Sequence, residues 1–267
     1  MGSKKDMNGC SNMTLFYRQL GQGPPIIILP GLLGSTDNWQ GIAQQLASHY
    51  TLYLVDHRNH SRSFHSELMT YEAMAADVQT LITKQAIEAP VLIGHSMGGK
   101  VAMQFAQNYP QSLSKLIVVD IAPRTYDMTK LAKILQILRQ TPLHGVRTRA
   151  EVNQYLSPSI PDAVMRLYCM KNLHRDHQRR LAWSSNIPVL ADSIQHLEQA
   201  VRFQAPFTKP TLFIKADQSD YIQPQDLARI KTLFPNYILE HIKEAKHWVN
   251  YYQPQALLSV IAHFLQH

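Results

Sequence analysis

The chain has 267 residues, 45% hydrophobic and 17% charged, which suits one large globular domain, or one domain with an insertion, and excludes a disordered chain. Its two cysteines, Cys10 and Cys169, lie far apart and exclude a disulfide framework, and the longest apolar runs are too short to cross a bilayer. The net charge of +7 is concentrated in one place: residues 121–205 carry twelve Lys or Arg against six Asp or Glu, and the remainder fourteen against thirteen.

Residues 1–12 form a polar tail. No apolar stretch follows Lys4 and Lys5, so no secretory signal is expected, and Asp6 weakens a myristoylation reading of Gly2. A cytoplasmic, reducing setting is the expectation. Thr14–Leu20 then reads as a strand, Gly21–Pro24 as a turn and Pro25–Leu29 as a buried strand. Asn38–His49 is helical, with Trp39, Ile42, Ala43 and Leu46 on one face, and Thr51–Val55 is the next strand. Tyr71–Ala86 has a helical apolar stripe of Tyr71, Met74, Ala75, Val78, Leu81 and Ile82.

Residues 91–99 read Val-Leu-Ile-Gly-His-Ser-Met-Gly-Gly, a buried run that stops at Gly94-x-Ser96-x-Gly98, and helical spacing continues to Tyr109. Strand, sharp turn and helix with serine at the apex is the nucleophile elbow. The serine needs a strained backbone, which small neighbours permit, and the helix N-terminus favours developing negative charge. Lys115–Asp120 is the next strand, and the alternation so far argues a parallel sheet with helices on both faces. From 121 to 205 the alternation breaks. Short helices are expected at Lys130–Gln140, Arg149–Leu156, Pro161–Asn172 and Pro188–Ala200, with no strand between them. Thr211–Lys215, Pro224–Phe234, Tyr237–Ile242 and Gln255–Leu265 resume strand, helix, strand, helix. The expected organisation is a core of residues 13–120 and 206–267, with 121–205 as a helical lid.

A serine hydroxyl needs a base within hydrogen-bond reach, and that base needs an orienting carboxylate. On this architecture the chain order is Ser, acid, His. Of the late histidines, His241 falls in a strand, and His263 and His267 in the last helix. His247 stands in the loop between last strand and last helix, at the sheet edge that also carries Ser96, and is the expected base. Three carboxylates compete for the acid. Asp217 and Asp220 follow the strand Thr211–Lys215, the usual acid position, and Asp120 ends the strand after the elbow. The oxyanion donors are expected to be the backbone N–H groups of Met97 and of Leu32, in the loop after Leu29.

Gly-Leu-Leu-Gly-Ser (31–35), Asp-His-Arg-Asn-His (56–60), Gly-His-Ser-Met-Gly-Gly-Lys (94–100), Val-Asp-Ile-Ala-Pro (119–123) and His-Trp-Val (247–249) occur in this order. Together they resemble the small α/β-hydrolase-fold serine esterases with a helical cap. Within these the chain is most similar to the bacterial acyl-ester and acyl-CoA thioesterase branch, related to the abhydrolase-domain-11 type. The resemblance implies an α/β-hydrolase fold, a mostly parallel sheet with an inserted helical lid. In that branch the acid lies in the Asp-Ile-Ala-Pro block, and a serine fills the usual acid slot. In the same register here, Asp120 is the acid, Ser219 occupies the usual slot, and Asp220, one residue out, is the alternative. Three departures stand out: Pro30 where similar enzymes have His before Gly, Ser61 where they have Gly after Asn-His, and Lys246 where they have Gly before His-Trp.

The functional expectation is a serine hydrolase cleaving carboxylic esters or acyl thioesters, including acyl-CoA, through an acyl-enzyme on Ser96, His247 and Asp120. The rivals are a carbon–carbon bond hydrolase using the same triad and a non-catalytic ligand-binding scaffold of the same fold. No metal or organic cofactor is expected, because the histidines show no ligand spacing. Neither nucleic acid nor stable membrane insertion is expected, since no basic stripe is interleaved with aromatics. The basic middle segment reads either as solvated surface or as a face that attracts an anionic substrate, with Arg175, Arg179 and Arg180 clustered between two lid helices as candidates.

Overall fold

The computed structural model describes residues 13–267; the polar tail, with Gly2 and Cys10, lies outside the described residues. In chain order, β1 (Tyr17–Leu20), β2 (Pro25–Leu29), α1 (Gln40–Leu46), β3 (Thr51–Val55), α2 (Tyr71–Lys84), β4 (Val91–His95), α3 (Met97–Asn108) and β5 (Lys115–Val119) form the first part. Next come α4 (Thr129–Gln140), α5 (Arg149–Leu156), α6 (Ala163–Met170), β6 (Leu173–Arg175), β7 (Leu181–Trp183), α7 (Ile187–Asp192) and α8 (Ile194–Glu198). The chain closes with β8 (Thr211–Ala216), α9 (Asp226–Leu233), β9 (Tyr237–Ile242), α10 (Val249–Tyr252) and α11 (Pro254–Gln266).

Seven strands make one sheet in the order β1-β3-β2-β4-β5-β8-β9. All neighbours are parallel except β1, which pairs antiparallel with β3 at the edge. The two-residue period of β2 explains its unbroken apolar run. Ile27 and Leu29 enter the core under α2 and α3, while Ile26 and Ile28 enter the opposite core with Trp39, Ile42, Leu257 and Ile261. A strand covered on both faces has no solvent side on which to place a polar residue.

Helix α2 begins where Thr70 Oγ1 accepts the Ala73 N–H at 3.2 Å, with Glu72 in its first turn and Lys84 in its last. Its six stripe residues are all buried. Between β5 and β8 lie the expected helices, with the last one split into α7 and α8 at Ser193. One expectation is corrected here: β6 and β7 form an antiparallel hairpin, pairing Leu173 with Trp183 and Arg175 with Leu181. Three-residue strands are too short to show a period. Their reversal is made by the Asp176 carboxylate, which accepts the N–H groups of Gln178 and Arg180, with Arg179 at φ 62.

The same hairpin carries the arginine trio between α6 and α7. Arg175 donates to the carbonyls of Arg179 and Arg147, and Arg180 pairs with Asp176. The Arg175 and Arg180 guanidiniums fasten a turn.

Candidate active site

Strand β4 delivers the chain into Ser96 at φ 54, ψ −120, and α3 starts one residue later. A serine with positive φ is strained, and the surroundings impose it. Its N–H is held by the Val119 carbonyl at 3.0 Å, while its own carbonyl accepts the Lys100 N–H at 3.1 Å. The flanking glycines are required by space. A Cβ on Gly94 would stand 2.2 Å from the Gly98 carbonyl oxygen, and one on Gly98 would stand 2.2 Å from the Leu29 carbonyl oxygen. Both obstacles are backbone, so neither yields cheaply. Gly98→Ala is therefore expected to destabilise the fold by about 1–3 kcal/mol or more, read as a lowered Tm together with lost activity. A Tm equal to the parent's would refute the close-packing account of the elbow.

Ser96 Oγ lies 2.9 Å from His247 Nε2, and His247 Nδ1 lies 2.8 Å from Asp120 Oδ2. These three residues come from the β4–α3 turn, the β9–α10 loop and the residue after β5, whose neighbouring register brings them to one sheet edge. Asp120 is fully buried and leaves its strand at φ 50. Its Oδ1 accepts the Ala216 N–H at 3.1 Å, and its Oδ2 accepts the Ser219 hydroxyl at 2.5 Å beside the His247 bond. Asp220 is exposed, and its carbonyl accepts from Arg124. Asp217 is also exposed and pairs with His241 at 3.0 Å.

His247 is further braced by residues that sequence reasoning did not single out. The His95 Nε2–H donates to the His247 carbonyl at 2.8 Å. Burial drives the His95 pKa down to about 3, so this ring is neutral across the working range. The Tyr221 ring stacks on the His247 imidazole at 3.7 Å and 12°. Tyr221 is itself placed by Tyr126, whose hydroxyl takes the Ala122 N–H and donates to the Tyr221 carbonyl. None of these partners has a periodic or motif signal; only His95, adjacent to the nucleophile, was within a recognised block.

Met97 opens helix α3, so its N–H has no intrahelical acceptor, and Leu32 sits in the turn that follows β2. The arrangement sets a serine hydroxyl against an imidazole that has a buried carboxylate on its far side, and among the described residues no hydrogen-bond acceptor faces the Leu32 and Met97 N–H groups. Such an arrangement is chemically able to carry out acyl transfer. Among the described residues, no group of three or more His, Cys, Asp or Glu is arranged to hold a metal ion.

The family model of the alpha/beta hydrolase fold matches residues 24–254, most of the chain. The chain belongs to the α/β-hydrolase family. It is 34% identical over 251 residues to the sn-1-specific diacylglycerol lipase ABHD11 of Xenopus tropicalis, a match spanning 91% of this chain and 78% of that protein. It is 30% identical over 241 residues to the esterase YbfF of Escherichia coli (strain K12), covering 90% of this chain and 92% of the relative. A solved marine microorganism esterase superposes with a TM-score of 0.92 at 38% identity, over 95% of this chain and 100% of the other.

The three departures from the family pattern have distinct structural consequences in this α/β-hydrolase. Ser61 adopts φ 47, so a residue with a Cβ occupies a conformation that glycine would take without strain. Lys246 has no positive φ, and its ammonium lies 5.6 Å from the Tyr252 ring centroid. The Pro30 carbonyl accepts from His57 Nε2 at 3.2 Å, and burial pushes the His57 pKa down to about 3. Beside the His247 loop, a cleft of about 530 Å³ is lined by Val164, Leu167, Tyr168 and Trp248, with Arg149 and Lys171 contributing charge. Arg180 lines a different cleft, with His65, His144 and Trp183. Among the described residues, no helix is long and apolar enough to cross a membrane.

Proposed function

We propose that this esterase-type hydrolase cleaves small-molecule carboxylic esters, and acyl thioesters with an anionic leaving group, through an acyl-enzyme on Ser96. The single observation that carries the reading is the continuous Ser96–His247–Asp120 hydrogen-bond chain ending on a buried carboxylate. Ser96 Oγ attacks the acyl carbon while His247 Nε2 takes its proton, and Asp120 holds the imidazole in the required tautomer and stabilises its charged form. The N–H groups of Leu32 and Met97 receive the oxyanion. Collapse breaks the bond to the leaving alkoxide or thiolate, which takes the proton from His247. Water then repeats the sequence on the acyl-enzyme and frees the acid. Residues 121–205 act as the lid, and the cleft at Trp248, whose lining stops short of Ser96 and His247, receives the part of the substrate remote from the scissile bond.

Two features support substrates of this class: the names borne by the relatives, an esterase and a diacylglycerol lipase, and the apolar walls of the cleft. The reading is tested with p-nitrophenyl esters and acyl-CoAs of graded length. A pre-steady-state burst of p-nitrophenol with steady turnover is the expected result. Absence of ester turnover across the series would leave the carbon–carbon bond hydrolase and the binding scaffold as the surviving alternatives.

The thioester half depends on charge, and Lys171, rather than the hairpin arginines, stands at the cleft. Lys171→Glu is expected to raise KM for acyl-CoA severalfold, while a neutral ester keeps its kcat and KM. The difference is expected to shrink as salt brings the Debye length below about 8 Å. Equal effects on both substrates would reduce the basic segment to solvated surface.

A further inference from the structure

We propose that the segment between β5 and β8 sets the oxyanion hole: Tyr168 and Asn172 act as positioning residues that lock the loop at Leu32 and Leu33 in its productive conformation. The inference rests on the reading of Leu32 as an oxyanion donor.

The loop leaves β2 directly behind the nucleophile, since a Cβ on Gly31 would come within 3.3 Å of Ser96 Cβ. It turns back at once, the Gly34 N–H donating to the Gly31 carbonyl at 2.9 Å. Leu33, the third residue of this turn, has φ 61, a conformation that leucine disfavours and that glycine or asparagine would normally supply. A relaxed turn with negative φ at this position is reached by rotating the peptide between Leu32 and Leu33, which turns the Leu32 carbonyl and the Leu33 N–H and reaches the Leu32 N–H, on the preceding peptide, only through the shared Leu32 Cα. The loop therefore has a competing form, and something outside it must exclude that form.

Two side chains from the inserted segment do so. The Tyr168 hydroxyl donates to the Leu32 carbonyl at 2.9 Å, gripping the one peptide that would have to rotate. Asn172 Nδ2 donates to the Leu33 carbonyl at 2.8 Å, and Asn172 Oδ1 accepts the Ser185 hydroxyl at 2.6 Å, which fixes the direction of the amide. Desolvation pushes the Tyr168 phenol pKa up, so it stays protonated and able to donate. Gly34 makes the reach possible: a Cβ there would stand 2.9 Å from the Tyr168 hydroxyl oxygen. With His57 on the Pro30 carbonyl, every carbonyl from Pro30 to Leu33 has a donor, and two of the four donors belong to the inserted segment.

The decisive variant is Tyr168→Phe, which removes the hydroxyl and keeps the ring that packs on Trp248 at 5.4 Å. In the full chain, kcat for a p-nitrophenyl ester is expected to fall on the order of 10- to 100-fold with KM within about twofold, as for a misaligned oxyanion donor. The matching measurement uses a trifluoromethyl ketone. Its carbonyl carbon bonds to Ser96 Oγ, the serine proton passes to His247, and the carbonyl oxygen becomes the oxyanion. Its affinity is expected to weaken in step with kcat, while a non-electrophilic alcohol of the same shape binds as before. Asn172→Ala is expected to act in the same direction, and if it fails to fold, Tyr168→Phe decides alone. Parental kcat in Tyr168→Phe, or a change confined to KM, overturns the inference. If Ser96→Ala is inactive while Tyr168→Phe is parental, only this inference fails; if Ser96→Ala stays active, the functional reading beneath it fails.

Discussion

Ser96→Ala is expected to abolish covalent labelling by a fluorophosphonate probe and to lower kcat by on the order of 10³-fold or more. Among the described residues, the hydroxyl is the one hydrogen-bond partner of His247 Nε2, at 2.9 Å, so no other group there is aligned with that imidazole. Alanine suits φ 54, ψ −120 no worse than serine, because the strain lies between Cβ and the backbone and both residues carry Cβ. The variant should therefore fold with the parental Tm, which separates a chemical effect from a collapse of the elbow. Residual activity would come from the backbone donors and substrate binding alone. Retained labelling would move the nucleophile elsewhere and take the proposed function with it.

Asp120→Asn is expected to lower kcat by roughly 10⁴-fold, with Asp220→Asn close to the parent. Asparagine tolerates φ 50 well, so the backbone stays as it is. The damage arises from donors. Oδ1 receives the Ala216 N–H, and Oδ2 receives His247 and Ser219. An amide has one oxygen to divide between these two sides. Turned one way it sets its N–H₂ against the Ala216 N–H; turned the other way it donates to His247 Nδ1 and forces the wrong tautomer. Asp220, exposed and tied through its carbonyl to Arg124, has no such conflict. Kinetics of both variants on one ester decide the matter, and greater damage from Asp220→Asn would place the acid in the usual slot after β8.

The alternation of β2 to β5 with helices was legible because each element exceeds one period of its own pattern, as in the α2 stripe from Tyr71 to Ile82. The elbow was legible for a different reason. Close approach of β4, α3 and the loop after β2 leaves no room for Cβ at positions 94 and 98, and such a demand is written into residue type. The place of the His247 loop followed from chain order, since a loop after a parallel strand opens at the edge where these strands end.

What local pattern could not carry was anything made by residues distant in sequence with no periodic signature. The β6–β7 hairpin has no sequence signature, because its strands are three residues long and its turn is closed by an Asp176 carboxylate rather than by glycine. Aspartates 120, 217 and 220 are chemically alike in a sequence. Burial of Asp120 between β5 and β8, with Ser219 and Ala216 donating to it, distinguishes it from two exposed neighbours. Tyr168 meets Leu32 across 136 positions, and His95 meets His247 across 152. Residue type records the constraints a position feels from its own backbone and immediate packing. Which carboxylate faces the histidine, and which side chains brace the loop after β2, are decided when the sheet edge and residues 121–205 come together in three dimensions.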